Sequence, residues 1–158
     1  MLGIREDRFS IYLNDHLAGA IVGVRLARDL AQRDPSPVFD ELAAEIAQDR
    51  RTLQELMDRF GVREDHVKIA LGFLAERASQ LKFRGELRGY TPLSKLEEVE
   101  TLALGVEGKR ALWEALRRTH AADPRLGPID LDLLIERAGS QRRRLEEQRM
   151  SAAETAFG

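Results

Sequence analysis

The chain has 158 residues, with 25 Lys and Arg against 27 Asp and Glu, and its formal net charge is −2. This balance excludes the basic excess with which general nucleic-acid-binding proteins neutralise phosphates, so no nucleic-acid partner is expected. The absence of Cys excludes disulfides and thiolate metal sites, and favours a cytoplasmic protein. Since 43% of the residues are hydrophobic and no apolar run could cross a bilayer, we expect one domain, residues 1–158, without a membrane partner.

Apolar residues recur at spacings of three and four along most of the chain, which is typical of amphipathic helices. The first predicted helix is about Phe9–Arg33, and two prolines within Asp34–Pro37 end it. Ser36 is the predicted N-cap of a second helix, which runs to about Phe60 and ends at Gly61. Because the connection is so short, these two helices are expected to form an antiparallel hairpin.

A long connection is predicted after this hairpin. A helical segment covers about Glu64–Leu81, and the glycines and proline of Lys82–Pro92 indicate a loop after it. The next long helix covers about Pro92–Ala121. The helical segment and the loop are therefore expected to form a partly helical crossover.

The last two helices carry recognisable N-terminal signals. The first of them begins with either Thr91 as its N-cap or Ser94 with Glu97 in a capping box. Asp130 is the predicted N-cap of the final helix, which runs to about Ala156. The chain is therefore predicted to be all-α: a four-helix bundle with a long, partly helical crossover between two helical hairpins.

Polar residues intrude on the apolar faces of all four long helices, and they form a candidate core polar network: His16, Glu45, Asp49, Glu98, Lys109, Arg142 and Arg149. One interpretation is a buried ion-pair network, in which Arg142 or Arg149 holds Asp49, and Glu98 lies near Lys109. The other is a metal or cofactor site in the bundle core. The mixed signs favour the ion-pair network, because cationic neighbours repel a metal ion.

Two of the long predicted helices each carry a pair of closely spaced glycines, Gly19 with Gly23 and Gly105 with Gly108. Each glycine costs up to about 1 kcal/mol of helix stability relative to Ala. Close approach of helix backbones is the expected compensation, so these positions predict tight helix crossings.

Charge is also patterned on the last two helices. Glu100, Glu107 and Glu114 repeat every seven residues, while the final helix is rich in Arg. Such complementary faces dock two helices of one bundle or two chains of a homodimer, and a solvated surface with local ion pairs is the third alternative.

By helix count, hairpin pairing and crossover, the chain resembles the ferritin-like superfamily over roughly Phe9–Ala156. In that family a di-iron centre uses Glu from the first and third helices and Glu-x-x-His from the second and fourth. The corresponding segments here are Glu45–Gln48 and Glu136–Gly139, with Gln48 and Gly139 at the two His positions. The resemblance therefore implies a ferritin-like fold without the paired Glu-x-x-His motifs.

The sequence thus predicts a cytoplasmic ferritin-like protein that has no cofactor and acts by binding or assembly. No catalytic residue is assigned, and a non-enzyme is favoured over an enzyme. The alternative is a protein that binds iron or manganese through hard oxygen ligands at a divergent carboxylate site. The candidate metal ligands are His16, Glu45, Asp49, Glu98 and Glu136.

Overall fold

The computed structural model describes the backbone of residues 2–64 and 89–158 and the side chains of residues 8–64 and 89–158. The described chain forms four α-helices: α1 (Leu2–Arg33), α2 (Pro37–Arg59), α3 (Pro92–His120) and α4 (Leu131–Phe157). A short 3-10 helix, Pro124–Leu126, lies between α3 and α4. No strand occurs in these ranges, so the prediction of an all-α, four-helix protein is confirmed for them.

The predicted crossover helix and most of the loop after it fall at residues 65–88, outside the described residues. One predicted boundary differs from the structure: α1 begins at Leu2 rather than near Phe9. The first eight residues contain no proline and no clear N-cap followed by an apolar stripe, so the sequence carries no signal for this start. None of the described helices has a stretch long and apolar enough to cross a membrane.

Local structure at the two ends of α2 defines where this helix of the first hairpin begins and ends. Pro37 occupies the first turn of α2, and Ser36 has the extended conformation of an N-cap, but its side chain makes no capping hydrogen bond. At the other end, Gly61 has φ of 68°. Gly61 N donates to the carbonyl of Asp58 at 3.0 Å, and Val62 N donates to that of Met57 at 2.9 Å. This is a Schellman motif, whose left-handed position glycine occupies without strain.

The caps of the second hairpin resolve the alternatives for α3. Thr91 Oγ1 accepts from Ser94 N at 3.2 Å, and Ser94 Oγ accepts from Thr91 N at 3.4 Å. Thr91 is therefore the N-cap of a reciprocal capping box, and the alternative with Ser94 and Glu97 is wrong. Asp130 Oδ1 accepts from Leu133 N at 2.9 Å, which confirms Asp130 as the N-cap of α4.

Helix α1 packs against both α2 and α3, and α3 packs against α4. Contacts at the two ends show that α1 and α3 are antiparallel: the Phe9 and His120 rings are 4.8 Å apart, while Arg33 pairs with Glu98 at the opposite end. Helix α2 therefore ends, and α3 begins, at opposite ends of the bundle. Ion pairs also join neighbouring faces of α3 and α4, including Arg142 with Glu107 and Arg149 with Glu100. Glu100 and Glu107, two of the three regularly spaced glutamates of α3, thus pair within the chain.

The core has two apolar clusters, one at each end of the bundle. One contains Trp113 and Leu17, and the other contains Phe39 and Val106. Along each helix the two clusters are separated by a short stretch near its middle. In α2 that stretch includes Asp49, in α3 Lys109 and in α4 Arg137, whereas in α1 it is Gly19–Gly23. Asp49, Lys109 and Arg137 therefore lie between the two apolar clusters.

Candidate functional site

Asp49 of α2 is the centre of a group of charged and amide side chains between the two apolar clusters. Its side chain is only 2% exposed. Lys109 Nζ of α3 donates to Asp49 Oδ2 at 2.5 Å, and Arg137 of α4 forms an ion pair with Asp49 Oδ1. Two cations from two helices therefore compensate a buried carboxylate that would be costly alone.

Gln141 of α4 links this ion pair to a second carboxylate. Its Oε1 accepts from Lys109 Nζ at 2.6 Å, and its Nε2 donates to Asp49 Oδ2 at 3.1 Å and to Glu45 Oε2 at 3.0 Å. Arg144 donates to the same oxygen of Glu45 at 2.5 Å. We call these six residues the polar layer: Glu45, Asp49, Lys109, Arg137, Gln141 and Arg144.

The polar layer determines the ionisation of Lys109. Burial lowers the pKa of the Lys109 ammonium, and the nearby Asp49 carboxylate opposes that shift. The charge on Lys109 therefore depends on Asp49, because desolvation alone favours the neutral amine.

Three members of the polar layer lie in the predicted network, and three were missed. The structure brings Glu45, Asp49 and Lys109 together. It adds Arg137, Gln141 and Arg144, none of which the sequence analysis assigned. Their spacing of four and three residues on α4 is the signal that could have found them, because such residues share one face of a helix.

The predicted partners of Asp49 are incorrect. Arg142 pairs with Glu107 at 3.3 Å, and Arg149 pairs with Glu146 at 2.8 Å and with Glu100 at 3.5 Å. Arg142 follows Gln141 by one residue, which turns its side chain about 100° away from α2 and toward the outer side of α3. Both arginines therefore contact surface glutamates.

Glu98 is also placed differently from the prediction. It lies near the start of α3, where it pairs with Arg33 and accepts from the Tyr90 hydroxyl at 3.0 Å. Eleven residues of helix separate it from Lys109, a rise of about 16 Å along the axis. Glu98 consequently lies at one end of the bundle, whereas Lys109 lies near its middle.

The five candidate metal ligands do not converge. Only Glu45 and Asp49 share a hydrogen-bond donor, and cationic partners already occupy both. Glu136 is exposed on α4, and His16 lies on α1. In the part of the chain that the structure describes, no group of three or more His, Cys, Asp or Glu side chains could hold a metal ion.

A cavity of about 280 Å³ opens beside the polar layer, between α1, α2 and α3. Its wall is mainly apolar and includes Leu26, Ile46 and Trp113. Lys109 and Asp49 bring one edge of the polar layer into the wall. The cavity therefore combines hydrophobic surface with a few charged groups, as small-molecule sites do.

Gly19, Gly23, Gly105 and Gly108 all line this cavity. A Cβ atom at Gly19, Gly105 or Gly108 would meet no atom of a described neighbour within 4 Å, and one at Gly23 would meet Ile46 Cγ2 at 4.0 Å. For the four described helices, the prediction of tight crossings at these glycines is therefore wrong. The missing side chains leave space between the helices instead of allowing their backbones to touch.

His16 contributes a polar group to the cavity wall from α1. Its ring makes an edge contact with Tyr12, with ring centroids 4.6 Å apart. Burial lowers the pKa of His16, and Asp15 opposes the shift. The imidazole is accordingly neutral at neutral pH, with one nitrogen that donates and one that accepts.

Two buried nitrogens in the cavity wall lack an acceptor among the described residues: Trp113 Nε1 and Arg50 Nε. Both are N–H donors, and an unsatisfied buried donor carries a desolvation penalty. The wall of the cavity thus has spare donors beside its apolar surface. Such an arrangement suits a small molecule that supplies acceptors.

Comparison of the chain with protein-family models, with curated proteins and with solved structures found no significant match.

Proposed function

We propose that this chain is a binding protein that holds a small, mainly apolar molecule in the cavity between α1, α2 and α3. The observation that carries the proposal is an apolar-walled cavity of about 280 Å³ lined by four helix glycines. Protein interiors are normally packed with few voids larger than a water molecule. A cavity of this size, continuous with charged groups, is therefore a candidate binding site.

The volume limits the size of the ligand. A dry engineered cavity of about 150 Å³ in another protein takes one benzene molecule. A cavity of about 280 Å³ has room for roughly twice as many non-hydrogen atoms, about ten to twelve. An eight-carbon chain with a polar head, or a bicyclic aromatic compound, is of this size.

The glycines support a binding role because they are unfavourable within a helix. Each lowers helix stability by about 1 kcal/mol relative to Ala. Close packing does not offset this cost at Gly19, Gly105 or Gly108, where a Cβ would meet no described neighbour. Room for a ligand is a function that explains them together.

Binding is favoured over catalysis by the state of the polar layer. Both oxygens of Asp49 already accept from protein donors, and two of the three protons of Lys109 Nζ are used within the layer. A general base needs a free lone pair within hydrogen-bond reach of its substrate. Asp49 and Lys109 are therefore better suited to stabilise the wall of the cavity than to transfer protons.

We further propose that the bundle is a ferritin-like one in the cytoplasm, with a metal-free interior. The antiparallel packing of α1 with α3, and the placement of the end of α2 and the start of α3 at opposite ends, support this arrangement. The cationic partners of Glu45 and Asp49 speak against the iron or manganese alternative, because they compete with a metal for the same oxygens.

Tryptophan fluorescence tests the proposed function directly. Trp113 is the only tryptophan of the chain, and it lies in the cavity wall. Sodium octanoate, 1-octanol and naphthalene are titrated into the full-length protein. We expect at least one of them to produce a saturable change in fluorescence with a stoichiometry of one per chain, confirmed by calorimetry.

Two glycine variants provide the matched comparison. Gly108→Leu fills the cavity and should weaken binding by at least about tenfold. Gly139→Leu adds the same side chain to α4 outside the cavity, where a Cβ would meet only the end of Arg143 at 3.7 Å, and should bind like wild type. If none of the three compounds gives saturable binding, or if both variants bind like wild type, the proposed function is wrong.

A further inference from the structure

We infer that the ligand of this cavity carries a carboxylate group, and that Arg50 binds it. The inference depends on the proposed function, because it assigns the chemical class of the molecule held there. The evidence for it is that the cavity wall contains hydrogen-bond donors without an acceptor among the described residues.

Arg50 is the first of these donors. It lies on α2, next to Asp49, and lines the cavity. Its Nε is buried and has no acceptor among the described residues. No described carboxylate forms an ion pair with it, whereas Arg137 and Arg144 on α4 are both paired. An unpaired guanidinium beside a cavity matches a carboxylate in charge and in its two-pronged geometry.

Lys109 supplies the second donor. Its ammonium group has three protons, of which Asp49 and Gln141 accept two. No described side chain accepts the third, and Lys109 also lines the cavity. Arg137 shares the charge of Asp49 with Lys109 but does not itself line the cavity.

Trp113 adds a neutral donor one turn from Lys109 on the same face of α3. Its Nε1 is buried without an acceptor among the described residues. Among the described side chains of the wall, each unsatisfied buried polar atom is thus a donor, and none is an acceptor. Asp15, the acidic group of the wall outside the polar layer, is exposed and remains hydrated by solvent.

These observations select a class of ligand. The donors call for an anionic acceptor, and the remaining wall calls for an apolar body. The size limit of about ten to twelve non-hydrogen atoms leaves a monocarboxylate of about eight to ten carbons, the carboxyl carbon included. Medium-chain fatty acids and small aromatic acids share this chemistry.

The test compares three eight-carbon probes with different head groups: sodium octanoate, 1-octanol and octylammonium chloride. Binding to the full-length protein is measured by Trp113 fluorescence and calorimetry. We expect octanoate to bind at least about tenfold more tightly than the other two, because charge-assisted hydrogen bonds are stronger than neutral ones. The preference for octanoate should decrease as salt concentration rises.

Adjacent arginines provide matched variants. Arg50→Gln should weaken octanoate binding by about tenfold and should weaken 1-octanol binding much less, so that the preference for octanoate is lost. Arg51→Gln should have no effect on either, because Arg51 is exposed and does not line the cavity. A circular dichroism spectrum and melting temperature like those of wild type verify that each variant is folded.

The possible results separate this inference from the proposed function. If 1-octanol or octylammonium binds as tightly as octanoate, the cavity takes ligands but the carboxylate assignment is wrong. If Arg50→Gln keeps the full preference for octanoate, the assignment to Arg50 is wrong. If no probe binds at all, the proposed function fails and the inference fails with it.

Discussion

At the scale of single residues, one buried carboxylate connects three helices. Asp49 of α2 is held by Lys109 of α3 and by Arg137 and Gln141 of α4. Its charge is stable only because all of these partners are present, since removal of one member of a buried ion pair leaves the others uncompensated. The same side chains form one edge of the cavity, so stability and binding meet at this position.

Replacement of Asp49 by Ala should therefore be severe. We expect Asp49→Ala to lower the free energy of unfolding by about 3–5 kcal/mol, because Lys109 and Arg137 are left with buried, unpaired charges. Asp132→Ala is the control, since Asp132 pairs with Arg117 on the surface and its side chain is 78% exposed. That control should change stability by less than about 1 kcal/mol. Urea denaturation measures both, and similar small losses would contradict the account.

His16 should give the fold a dependence on pH. Burial lowers the pKa of His16 in the folded protein below its ordinary value of 6.5. The unfolded chain therefore binds a proton more readily, so stability is full above about pH 6.5 and is lost as the pH falls toward the folded-state pKa. Between about pH 7 and pH 5, wild type should lose more stability than His16→Gln. Equal losses in denaturation at both pH values would show that His16 is solvated.

The burial of Asp49 follows from its place in the apolar seam of α2, but the identity of its partners does not. The sequence of α4 offers several arginines as possible partners of Asp49: Arg137, Arg142, Arg144 and Arg149. A rotation of about 100° per residue decides which of them faces α2, and that rotation is set by packing against α3. The sequence therefore predicts that Asp49 forms a buried ion pair, but it does not identify the cation that pairs with Asp49.

At the scale of helices, local interactions determine where each helix begins and ends. Two N-caps of similar sequence differ in the hydrogen bonds that they make. Thr91 exchanges hydrogen bonds with Ser94 in a capping box. Ser36 stands at the equivalent position of α2, also before a proline, but its hydroxyl is buried and has no partner among the described residues. The proline after each of them already fixes the first turn.

These two caps predict different mutational effects. Thr91→Ala should lower the free energy of unfolding by about 1 kcal/mol, because the amide of Ser94 loses its acceptor. Ser36→Ala should leave stability within about 0.5 kcal/mol of wild type, since no capping bond is lost. Thermal denaturation of the two variants gives the comparison. An equal loss in both would mean that Ser36 caps α2 in solution.

The helix glycines predict a gain in stability. Gly19→Ala and Gly105→Ala should each raise the free energy of unfolding by about 0.5–1 kcal/mol, because Ala favours the helix and its Cβ meets no described neighbour within 4 Å. Gly61→Ala should have the opposite sign, because Gly61 has φ of 68°. Chemical denaturation measures the stability of all three variants. A loss of stability in both helix variants would mean that helix backbones approach closely at these glycines.

Most of the elements could be predicted because their signals are local. The prolines near residue 36, the caps at Thr91 and Asp130 and the left-handed Gly61 all mark helix ends in the sequence itself. The start of α1 could not, since the sequence before Phe9 offers no such signal. The glycines show a different limit: their positions are readable, but whether a missing side chain allows contact or leaves space depends on the distance between helices.

At the scale of the whole molecule, the polar layer and the cavity share the middle of the bundle, between two apolar clusters. The clusters supply the burial that stabilises the fold. The middle combines unfavourable features, four helix glycines and several buried charges, which natural proteins tolerate where function requires them. Neither the composition nor the helical periodicity reveals the cavity, because it exists only once α1, α2 and α3 are positioned.

If a small molecule occupies this cavity, the indole N–H resonance of Trp113 should respond to it, because Trp113 lies in the cavity wall. The chain has a single tryptophan, so a ¹⁵N-labelled sample gives one indole signal. On titration with sodium octanoate, we expect that signal to shift in a saturable manner, and we expect nuclear Overhauser contacts between the octanoate chain and the α protons of Gly105 and Gly108. An indole signal that stays unmoved up to millimolar octanoate, 1-octanol and naphthalene would contradict the account.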